Sequence, residues 1–232
     1  MKKRLIVLTG AGISAESGIR TFRDSDGLWD EYPVEDVATP EGFFRDPELV
    51  LNFYNRMRRD LKNHHPNFAH QALALLEESF DVSVITQNID DLHERAGSSD
   101  VLHLHGELLK ARSIDDEKLV ISLPEDSLDI SLGDKAPDGA QLRPFIVWFG
   151  EAVPNIEFAI EKVRKADVFL IIGTSLNVYP AAGLVRYVPS GVPIYLIDPK
   201  EVRVEGGMNV NVIQKVASEG MRDFLKMMNI ES

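Results

Sequence analysis

Residues 10–15 of this 232-residue chain read GAGISA and follow the apolar run 5–8, and their types and spacing suit a phosphate-containing ligand. They match the pattern G-x-G-x-x-A, in which Gly10 and Gly12 let backbone N–H groups approach a pyrophosphate at the start of a helix. The motif alone is weak, because a tight strand-to-helix turn uses the same residues. A dehydrogenase would also carry an acidic residue about 20 residues further on, where this chain has a polar loop. We therefore predict a bound dinucleotide, but not in ordinary dehydrogenase geometry.

Amide and carboxylate side chains follow a second apolar run, in the segment TQNID at residues 86–90. Ligands of doubly wound sheets collect at the carboxyl ends of the strands. Gln87, Asn88 and Asp90 offer groups that suit ribose hydroxyls and a carboxamide. The alternative for Asp90 is a purely structural role as the cap of the next helix. The segment thus predicts a polar ligand contact and leaves the role of Asp90 open.

His103 and His105 stand two residues apart in the segment HLHGE, a spacing that places both rings on one face of a strand. Such a pair can ligate a metal, but no third ligand is evident. We favour a single histidine, His105, as general base, with Gly106 allowing a ligand to approach closely. The remaining histidines are expected to be structural or exposed; they are His64, His65, His70 and His93.

Further polar and glycine-containing segments follow at 147–151 (VWFGE), 173–181 (GTSLNVYPA) and 197–199 (IDP). The last two end apolar runs, as the earlier ligand segments do. Residues 173–175 could hold a phosphate or a ribose through backbone amides and hydroxyls. A plain strand-to-helix turn favours the same residue types, so that alternative stays open.

Short β-branched runs alternate with helical patterns along the chain. The runs lie at 5–8, 82–86, 168–172 and 194–197, and the helical patterns at 67–79, 155–165 and 216–228. This alternation predicts an α/β fold with a doubly wound parallel sheet, which is a Rossmann-like dinucleotide-binding domain, and a small inserted subdomain.

Two stretches interrupt this alternation. Thr39-Pro40 and Asp46-Pro47 each supply an N-cap followed by a first-turn proline, so residues 39–63 are predicted to form a helical insertion. Residues 108–143 are rich in Asp, Glu, Gly and Pro and are predicted to form a small β-rich insertion. The Rossmann-like domain would then comprise residues 1–38, 64–107 and 144–232.

The composition restricts the function further. A net charge of −12 argues against a nucleic-acid or anionic-membrane binder, because phosphate contacts need clustered Lys and Arg. An acidic surface favours basic partners such as lysine-bearing protein segments. The lack of cysteine excludes disulfides, thiolate zinc sites and Cys nucleophiles.

The basic start 1–4 precedes too short an apolar run for a signal peptide, and no run reaches transmembrane length, so we expect a cytoplasmic protein.

Taken together and in this order, the segments resemble the motifs of the sirtuin family. The matching segments are 10–14 (GAGIS), 18–23 (GIRTFR), 27–29 (GLW), 86–90 (TQNID), 104–106 (LHG), 149–151 (FGE) and 173–175 (GTS). They span nearly the whole chain, and the ordered set is far more specific than any single motif. The resemblance is greatest to the bacterial branch that is similar to the mitochondrial desuccinylases.

The resemblance implies an NAD-dependent protein lysine deacylase. NAD would be consumed as co-substrate: the acyl-lysine carbonyl oxygen attacks its ribose as nicotinamide leaves. His105 would then promote the hydroxyl attack that yields free lysine and O-acyl-ADP-ribose. The implied partners are acylated lysine-bearing proteins or peptides, with no nucleic acid and no membrane. Two alternatives stay open: an NAD hydrolase or ADP-ribosyltransferase on the same fold, and a non-catalytic NAD or ADP-ribose sensor.

The resemblance also implies roles for individual residues. Gln87 would contact the ribose, while Asn88 and Asp90 would hold the nicotinamide carboxamide in an inner pocket. The other implied cofactor contacts are Gly10, Ala11, Gly12, Ile19, Phe22, Arg23, Gly173, Thr174, Ser175, Asp198 and Ala217. The implied contacts to the acyl-peptide are Ala38, Tyr54, Phe149, Gly150 and Val178. The loop 19–38 would act as a lid that orders when NAD binds.

One departure from the sirtuin pattern concerns metal binding. Most sirtuins hold a structural zinc with two Cys-x-x-Cys pairs, and this chain has no cysteine. We therefore expect no zinc here, and an insertion that is held by its own packing and hydrogen bonds.

A second departure concerns the acyl group. Sirtuins that accept succinyl-lysine carry Tyr-x-x-Arg, whereas here Tyr54 is followed at that spacing by Met57. Arg58 is expected to lie beside Tyr54 on the helix surface, where a small rotation of the helix would aim its guanidinium at a carboxylate. The alternative is that Tyr54 and Met57 only belong to the apolar stripe of the helix. We predict good deacetylation with a weaker succinyl preference.

Overall fold

The computed structural model describes residues 2–20, 32–202 and 209–230. The strands of these ranges are β1 (Lys3–Thr9), β2 (Phe80–Thr86), β3 (Val101–His103), β4 (Gly106–Ser113), β5 (Val120–Ser122), β6 (Leu142–Ile146), β7 (Val168–Ile172), β8 (Ile194–Ile197) and β9 (Val210–Ile213). The helices are α1 (Gly12–Ala15), α2 (Val34–Val37), α3 (Pro40–Arg45), α4 (Pro47–Leu61), α5 (Phe68–Leu76), α6 (Leu92–Ala96), α7 (Ile156–Val163) and α8 (Ala217–Met227), with a 3₁₀ helix at Ala181–Tyr187. In these ranges no helix has both the length and the apolar character needed to cross a bilayer.

β1 lies inside a six-stranded sheet, whose strand order is β3-β2-β1-β7-β8-β9 with every neighbouring pair parallel. Because side chains alternate along a strand, Leu5 and Val7 belong to the core on one face of the sheet, while Ile6 and Leu8 belong to the core on the other. Both faces are therefore buried, as is typical of parallel sheets. The α/β fold with a doubly wound parallel sheet that the sequence predicts is confirmed.

The strand order reverses at β1, and this reversal creates the crevice in which a site can form. From β1 the sheet continues to β2 and β3 on one side and to β7, β8 and β9 on the other. The chain after β1 and the chain after β7 therefore lead to opposite faces of the sheet, with Ile13 in the core on one face and Ala181 in the core on the other. Doubly wound folds bind their ligands at this place.

Thr39 and Asp46 begin α3 and α4, as the sequence predicts. The Thr39 hydroxyl accepts a hydrogen bond from the Gly42 N–H (3.0 Å), and the Asp46 carboxylate accepts one from the Leu49 N–H (2.9 Å). Proline follows each cap in the first helical turn. The caps satisfy amides that a helix leaves without an internal partner, so they fix where each helix starts.

β4 is the middle strand of a smaller antiparallel sheet, between β5 and β6. This sheet reaches beyond residues 108–143 at both ends, since β4 begins at Gly106 and β6 ends at Ile146. Its inner face packs against α4 in a separate core that includes Phe53, Leu108 and Trp148. The domain boundaries drawn from the sequence stay a prediction.

Arg58 is fully buried, so the expectation that it lies on the helix surface is wrong. Its Nε donates to the Leu108 carbonyl (2.7 Å) and its Nη1 to the Asn55 side-chain oxygen (2.7 Å). Burial lowers the pKa of Arg58 to about 10. The helical spacing from Tyr54 does not reveal this, because the chain beyond β5 and the strand β4 cover the side of α4 that carries Arg58. Arg58 therefore holds α4 to the small sheet.

Asn55 completes the same connection. Its amide nitrogen donates to the Ile130 carbonyl (2.9 Å), and its oxygen accepts from the Ile130 N–H (2.9 Å) as well as from Arg58. One buried side chain thus satisfies both backbone groups of Ile130 and one N–H of a buried guanidinium. Buried polar groups without partners cost free energy, so this amide matters for stability.

We predict that Asn55→Ala lowers the free energy of unfolding by about 2–4 kcal/mol, because it leaves a buried charge and two backbone groups short of partners. Urea unfolding of the two proteins measures the difference. Arg59→Ala on the same helix is the matched control. Its exposed ion pair with Asp129 should contribute below about 1 kcal/mol. Equal losses in the two variants would contradict the assigned role of Asn55.

Candidate active site

The loops after β1 and β7 meet backbone to backbone at the reversal point of the sheet. The Gly12 N–H donates to the Gly173 carbonyl (2.8 Å). A Cβ atom on Gly12 would lie 2.6 Å from the Gly173 Cα, and a Cβ on Gly173 would lie 2.3 Å from the Ile13 nitrogen. Gly173 also has a φ of +63°, which side-chain-bearing residues rarely adopt. Glycine is therefore required at both positions for the loops to pack.

A cavity of about 590 Å³, the larger cavity, opens at this edge of the sheet. It is lined by most residues that the sequence analysis assigned to cofactor: Gly10, Ala11, Gly12, Gln87, Asn88, Gly173, Thr174, Ser175, Asp198 and Ala217. It is also lined by His105 and by five residues assigned to the acyl-peptide: Ala38, Tyr54, Phe149, Gly150 and Val178. The structure thus brings the predicted base, cofactor contacts and peptide contacts to one continuous space.

A second cavity of about 450 Å³, the smaller cavity, lies next to the first. Ile19, Asp90 and Met57 line it, together with Ser14 and Leu108. Both cavities share walls formed by Ala11, Phe53, Asn88 and Ile89. The predicted inner pocket around Asn88 and Asp90 is therefore adjacent to the larger cavity.

Three assigned residues are not brought to these cavities by the described part of the chain. Arg58 lines neither cavity, because its side chain is turned into the core between α4 and β4. Phe22 and Arg23 lie outside the described residues, as does most of the loop 19–38. Their cofactor contacts stay predictions.

His105 is held in the state that a general base needs. Its Nδ1 lies 3.0 Å from the Gln87 carbonyl oxygen, which can only accept, so Nδ1 carries the proton. Burial lowers the pKa of His105 below the ordinary value near 6.5, against a smaller opposing effect of the bond to Gln87. The ring is therefore neutral at cellular pH, and Nε2 is its unprotonated nitrogen.

Gly106, next to His105, has a different role from the one expected. A Cβ atom there would lie 2.1 Å from the Phe145 carbonyl oxygen, and its φ is +85°. The residue faces the neighbouring strand β6 and lines neither cavity. It therefore allows β4 and β6 to pair, and the expectation that it admits a ligand is wrong.

Ser14 links the two polar residues of the smaller cavity. The Asn88 amide donates to the Ser14 hydroxyl (3.2 Å), and that hydroxyl donates to Asp90 Oδ2 (3.0 Å). The other carboxylate oxygen of Asp90 accepts from the Leu92 N–H (3.1 Å) at the start of α6. Burial raises the pKa of Asp90. Asp90 thus caps a helix and lines the cavity, so the two readings of this residue are compatible.

His70 and His93 lie directly behind Ser14, and both are fully buried. His70 Nδ1 accepts from the Asn67 N–H (3.4 Å), which leaves Nε2 to donate to the Ser14 hydroxyl (3.4 Å). The two rings meet edge to face with centroids 4.9 Å apart. Both are structural, as the sequence predicts, but their position behind Ser14 is not evident from the sequence pattern. The signal available was the capping position of His70, three residues after Asn67.

A neutral imidazole base facing a glycine-walled cavity at the reversal point of a parallel sheet defines a class: α/β enzymes that act on a nucleotide ligand. The model of the Sir2 family matches residues 10–180, and the chain belongs to that family. This is the sirtuin family that the sequence motifs resemble.

Known proteins with similar sequences and structures agree with this assignment. The NAD-dependent protein deacylase of Bacteroides thetaiotaomicron is 59% identical over 229 residues, covering 97% of this chain and 98% of its own. That of Helicobacter pylori is 53% identical over 223 residues, covering 96% of each chain. Among solved structures, a Sir2 homologue bound to NAD superimposes with a TM-score of 0.86 at 41% identity, covering 98% of this chain and 90% of its own. A mutant Sir2 homologue bound to ADP-ribose gives 0.88 at 40% identity, covering 100% and 95%.

We predict that acidification destabilises the protein through His70. Burial lowers the pKa of this ring to about 4 in the folded state, against about 6.5 when unfolded. Between these pH values only the unfolded chain binds the proton. The free energy of unfolding should therefore fall by about 1.4 kcal/mol per pH unit for this residue.

Urea unfolding between pH 7 and pH 4.5 measures this dependence, and His70→Gln should flatten it. Glutamine can still donate to Ser14 but does not titrate. His65→Gln is the control, because that ring is exposed. A slope that is the same in wild type and His70→Gln would show that His70 does not cause it.

Proposed function

We propose that this protein is an NAD-dependent protein lysine deacylase that releases nicotinamide and transfers the acyl group of a lysine side chain to ADP-ribose. The observation that carries the proposal is the position of His105. Its neutral ring lines the same cavity as the glycine-walled loops on one side and Phe149, Gly150 and Val178 on the other. A base between a nucleotide-binding wall and a peptide-binding wall suits acyl transfer between the two ligands.

The cavity walls fit a dinucleotide. The loops after β1 and β7 approach each other so closely that a Cβ atom at Gly12 or Gly173 would clash, so the cavity wall at these two positions is backbone without side chains. A ligand can therefore approach the loops closely. Gln87 donates to Thr174 Oγ1 (3.0 Å), so the loop after β2 is fixed to the loop after β7. When bound, NAD supplies the ribose carbon from which nicotinamide departs and the hydroxyls that accept the acyl group.

The peptide would bind beside residues 149–151 and 175–178 by strand addition, in which main-chain hydrogen bonds give affinity. Phe149 and Ser175 are exposed at the rim of the larger cavity, and Gly150 has a φ of +92°. The Phe149 N–H donates to the Ala38 carbonyl (2.9 Å), which holds this rim against the segment before α3. An acylated lysine entering between these segments would reach His105.

We predict that His105→Ala lowers kcat/KM for an acetylated peptide by about 10²–10⁴-fold or more, because the general base is lost. The melting temperature and the affinity for ADP-ribose should stay close to wild type. His103→Ala, two residues away, should lose far less. Mass spectrometry of peptide products in the presence and absence of NAD measures the reaction. Near-full turnover of His105→Ala would contradict the proposed chemistry, and NAD cleavage that needs no peptide would favour a hydrolase.

We further propose that the small sheet is held without zinc. Residues 108–143 contain neither His nor Cys, the ligands that zinc prefers in structural sites. Within the described ranges, no group of three or more His, Asp or Glu side chains is placed to hold a metal ion. Instead, ion pairs connect β4 and β6 to the loop after β6: Arg112 and Arg143 both donate to Glu151 (3.0 and 2.6 Å). Glu151 also accepts from the Trp148 N–H (2.8 Å), which ties the rim loop to the sheet.

The expected outcome of dialysis against a strong chelator is unchanged deacylase activity and an unchanged melting temperature. Elemental analysis of the purified protein should find no stoichiometric zinc. One equivalent of tightly held zinc would contradict the proposal. Glu151→Gln, in contrast, should lower the melting temperature, because it weakens both guanidinium contacts.

The acyl group is proposed to be small and uncharged. Tyr54 borders the larger cavity, and its hydroxyl accepts from Trp148 Nε1 (3.0 Å). Burial raises the pKa of Tyr54, so the phenol stays neutral and can donate to an acyl oxygen. Met57 lines the smaller cavity at the spacing where succinyl-accepting relatives have arginine, and Arg58 is committed to Asn55 and Leu108. A carboxylate would therefore lack the bidentate partner that makes such recognition strong.

We expect wild type to have a higher kcat/KM for acetyl than for succinyl peptides. Met57→Arg should shift the ratio of the two kcat/KM values toward succinyl by about tenfold or more, because it adds one charge-assisted contact to the carboxylate. Met57→Leu, which has similar volume and no charge, is the matched control. Peptide assays with the two acyl groups measure the ratio. A wild type that strongly favours succinyl would show that the pocket is wrongly described.

A further inference from the structure

We propose that His103 is a positioning residue whose doubly protonated ring, held by Glu94, fixes the backbone of Asn88 and thereby the nicotinamide side of the active site. The proposal rests on the proposed function, because it takes the smaller cavity around Asn88 and Asp90 as the place where the carboxamide binds. Nicotinamide affinity would then depend on the protonation of His103, although His103 itself does not contact nicotinamide.

The hydrogen bonds of His103 define its protonation by geometry. Its Nδ1 lies 2.9 Å from the Asn88 carbonyl oxygen, and its Nε2 lies 2.8 Å from Glu94 Oε1. Both partners are acceptors, and a neutral imidazole has only one N–H. Both bonds can therefore be donated only by the imidazolium. The side chain is 7% exposed, so solvent does not offer an alternative partner for either nitrogen.

The charges around His103 favour the same state. Glu94 on α6 pairs with it directly, Glu107 on β4 adds a second negative charge nearby, and Asp90 and His93 are the other titratable groups within electrostatic range. Although burial acts to lower it, the bond and charge of Glu94 raise the pKa of His103 above its ordinary value. Burial likewise acts to raise the pKa of Glu94, and the bond to His103 lowers it.

Three hydrogen bonds hold Asn88, and His103 donates one of them. Its N–H donates to Thr86 Oγ1 (3.0 Å), its side-chain amide to Ser14 (3.2 Å), and its carbonyl accepts from His103. The first two bonds involve hydroxyl groups, which can rotate to other partners. The third has a charged donor and is the strongest of the set, because charge-assisted hydrogen bonds are about twice as strong as neutral ones. Its loss would free the peptide unit that follows Asn88 and leads to Asp90.

Glu94 accounts for the difference in charge state between His103 and His105. The two rings donate to successive carbonyls, His105 to Gln87 and His103 to Asn88. Only His103 has a carboxylate on its second nitrogen, whereas burial lowers the pKa of His105. Two histidines at one strand end are thus kept in opposite charge states, one as base and the other as a fixed donor.

The test uses nicotinamide binding to the full chain saturated with ADP-ribose, measured by calorimetry from pH 6 to pH 9. Glu94→Gln keeps an acceptor but removes the charge that stabilises the imidazolium. At pH 8 its affinity for nicotinamide should be about tenfold below wild type, the loss expected for one charge-assisted hydrogen bond. At pH 6 the affinity should return toward wild type, because the ring is protonated again. A simple packing defect would not recover in this way.

Glu107→Gln is the matched control, since Glu107 is a second nearby carboxylate that pairs with Lys110 and makes no hydrogen bond to His103. It should bind nicotinamide nearly as wild type does at every pH. The wild-type ring is examined independently by ¹⁵N-edited NMR at pH 7, which should find protons on both nitrogens of His103 and on one nitrogen of His105.

A neutral His103 in the wild-type spectrum would overturn the proposal, whether or not the variant folds. Unchanged affinity of Glu94→Gln across the pH range would also overturn it, as would a loss that is equal at pH 6 and pH 8. Failure of the wild type to deacylate peptides would contradict the proposed function instead. The spectrum and the nicotinamide titration need no turnover, so the two failures are distinguishable.

Discussion

The contact between the backbones of Gly12 and Gly173 is the constraint on which the rest of the site depends. It presses the loop after β1 against the loop after β7 at the reversal point of the sheet, and no side chain fits between them. The larger cavity lies beside this contact, and its walls are completed by the residues that follow β2, β6 and β8. Gln87 reaches across this junction to Thr174 (3.0 Å), and its carbonyl in turn orients His105. The placement of His105, the proposed general base, thus depends on a contact between two backbones.

Three histidines, His70, His103 and His105, lie near this junction. The hydrogen-bond partners of each ring determine its protonation state. His70 sits between an amide N–H and a hydroxyl and stays neutral, which directs the hydroxyl proton of Ser14 toward Asp90. His105 has one carbonyl partner and keeps a nitrogen for proton transfer. His103 has a carbonyl and a carboxylate as partners, and two acceptors favour its charged form. The hydrogen-bond partners of each ring thus favour the neutral form at His70 and His105 and the charged form at His103.

The sequence predicts those features that depend on local geometry, and it fails where tertiary packing decides. The glycine loop, the caps at Thr39 and Asp46 and the alternation of strands require only short-range patterns, and the fold and family they predict are confirmed. Helical spacing does not reveal that Arg58 is buried, because a segment distant in sequence, around Ile130, covers its face of the helix. The packing of Gly106 is hidden for the same reason, since its neighbour Phe145 belongs to another strand. The short edge strand β9 has no pattern long enough to recognise. The expectation that His103 and His105 share one face of a strand is wrong, because β3 ends at His103 and His105 follows it.

The charge pairs that hold the small sheet have a consequence for redox chemistry. Thiolates are the protein groups that peroxides attack most readily, and a chain without cysteine offers none. The guanidinium and carboxylate groups of Arg112, Arg143 and Glu151 do not undergo such reactions, so oxidants do not open the small sheet. Methionine becomes the next target, and its sulfoxide is polar. Because Met57 lines the smaller cavity and packs against the core beside the small sheet, its oxidation would introduce a polar group into both.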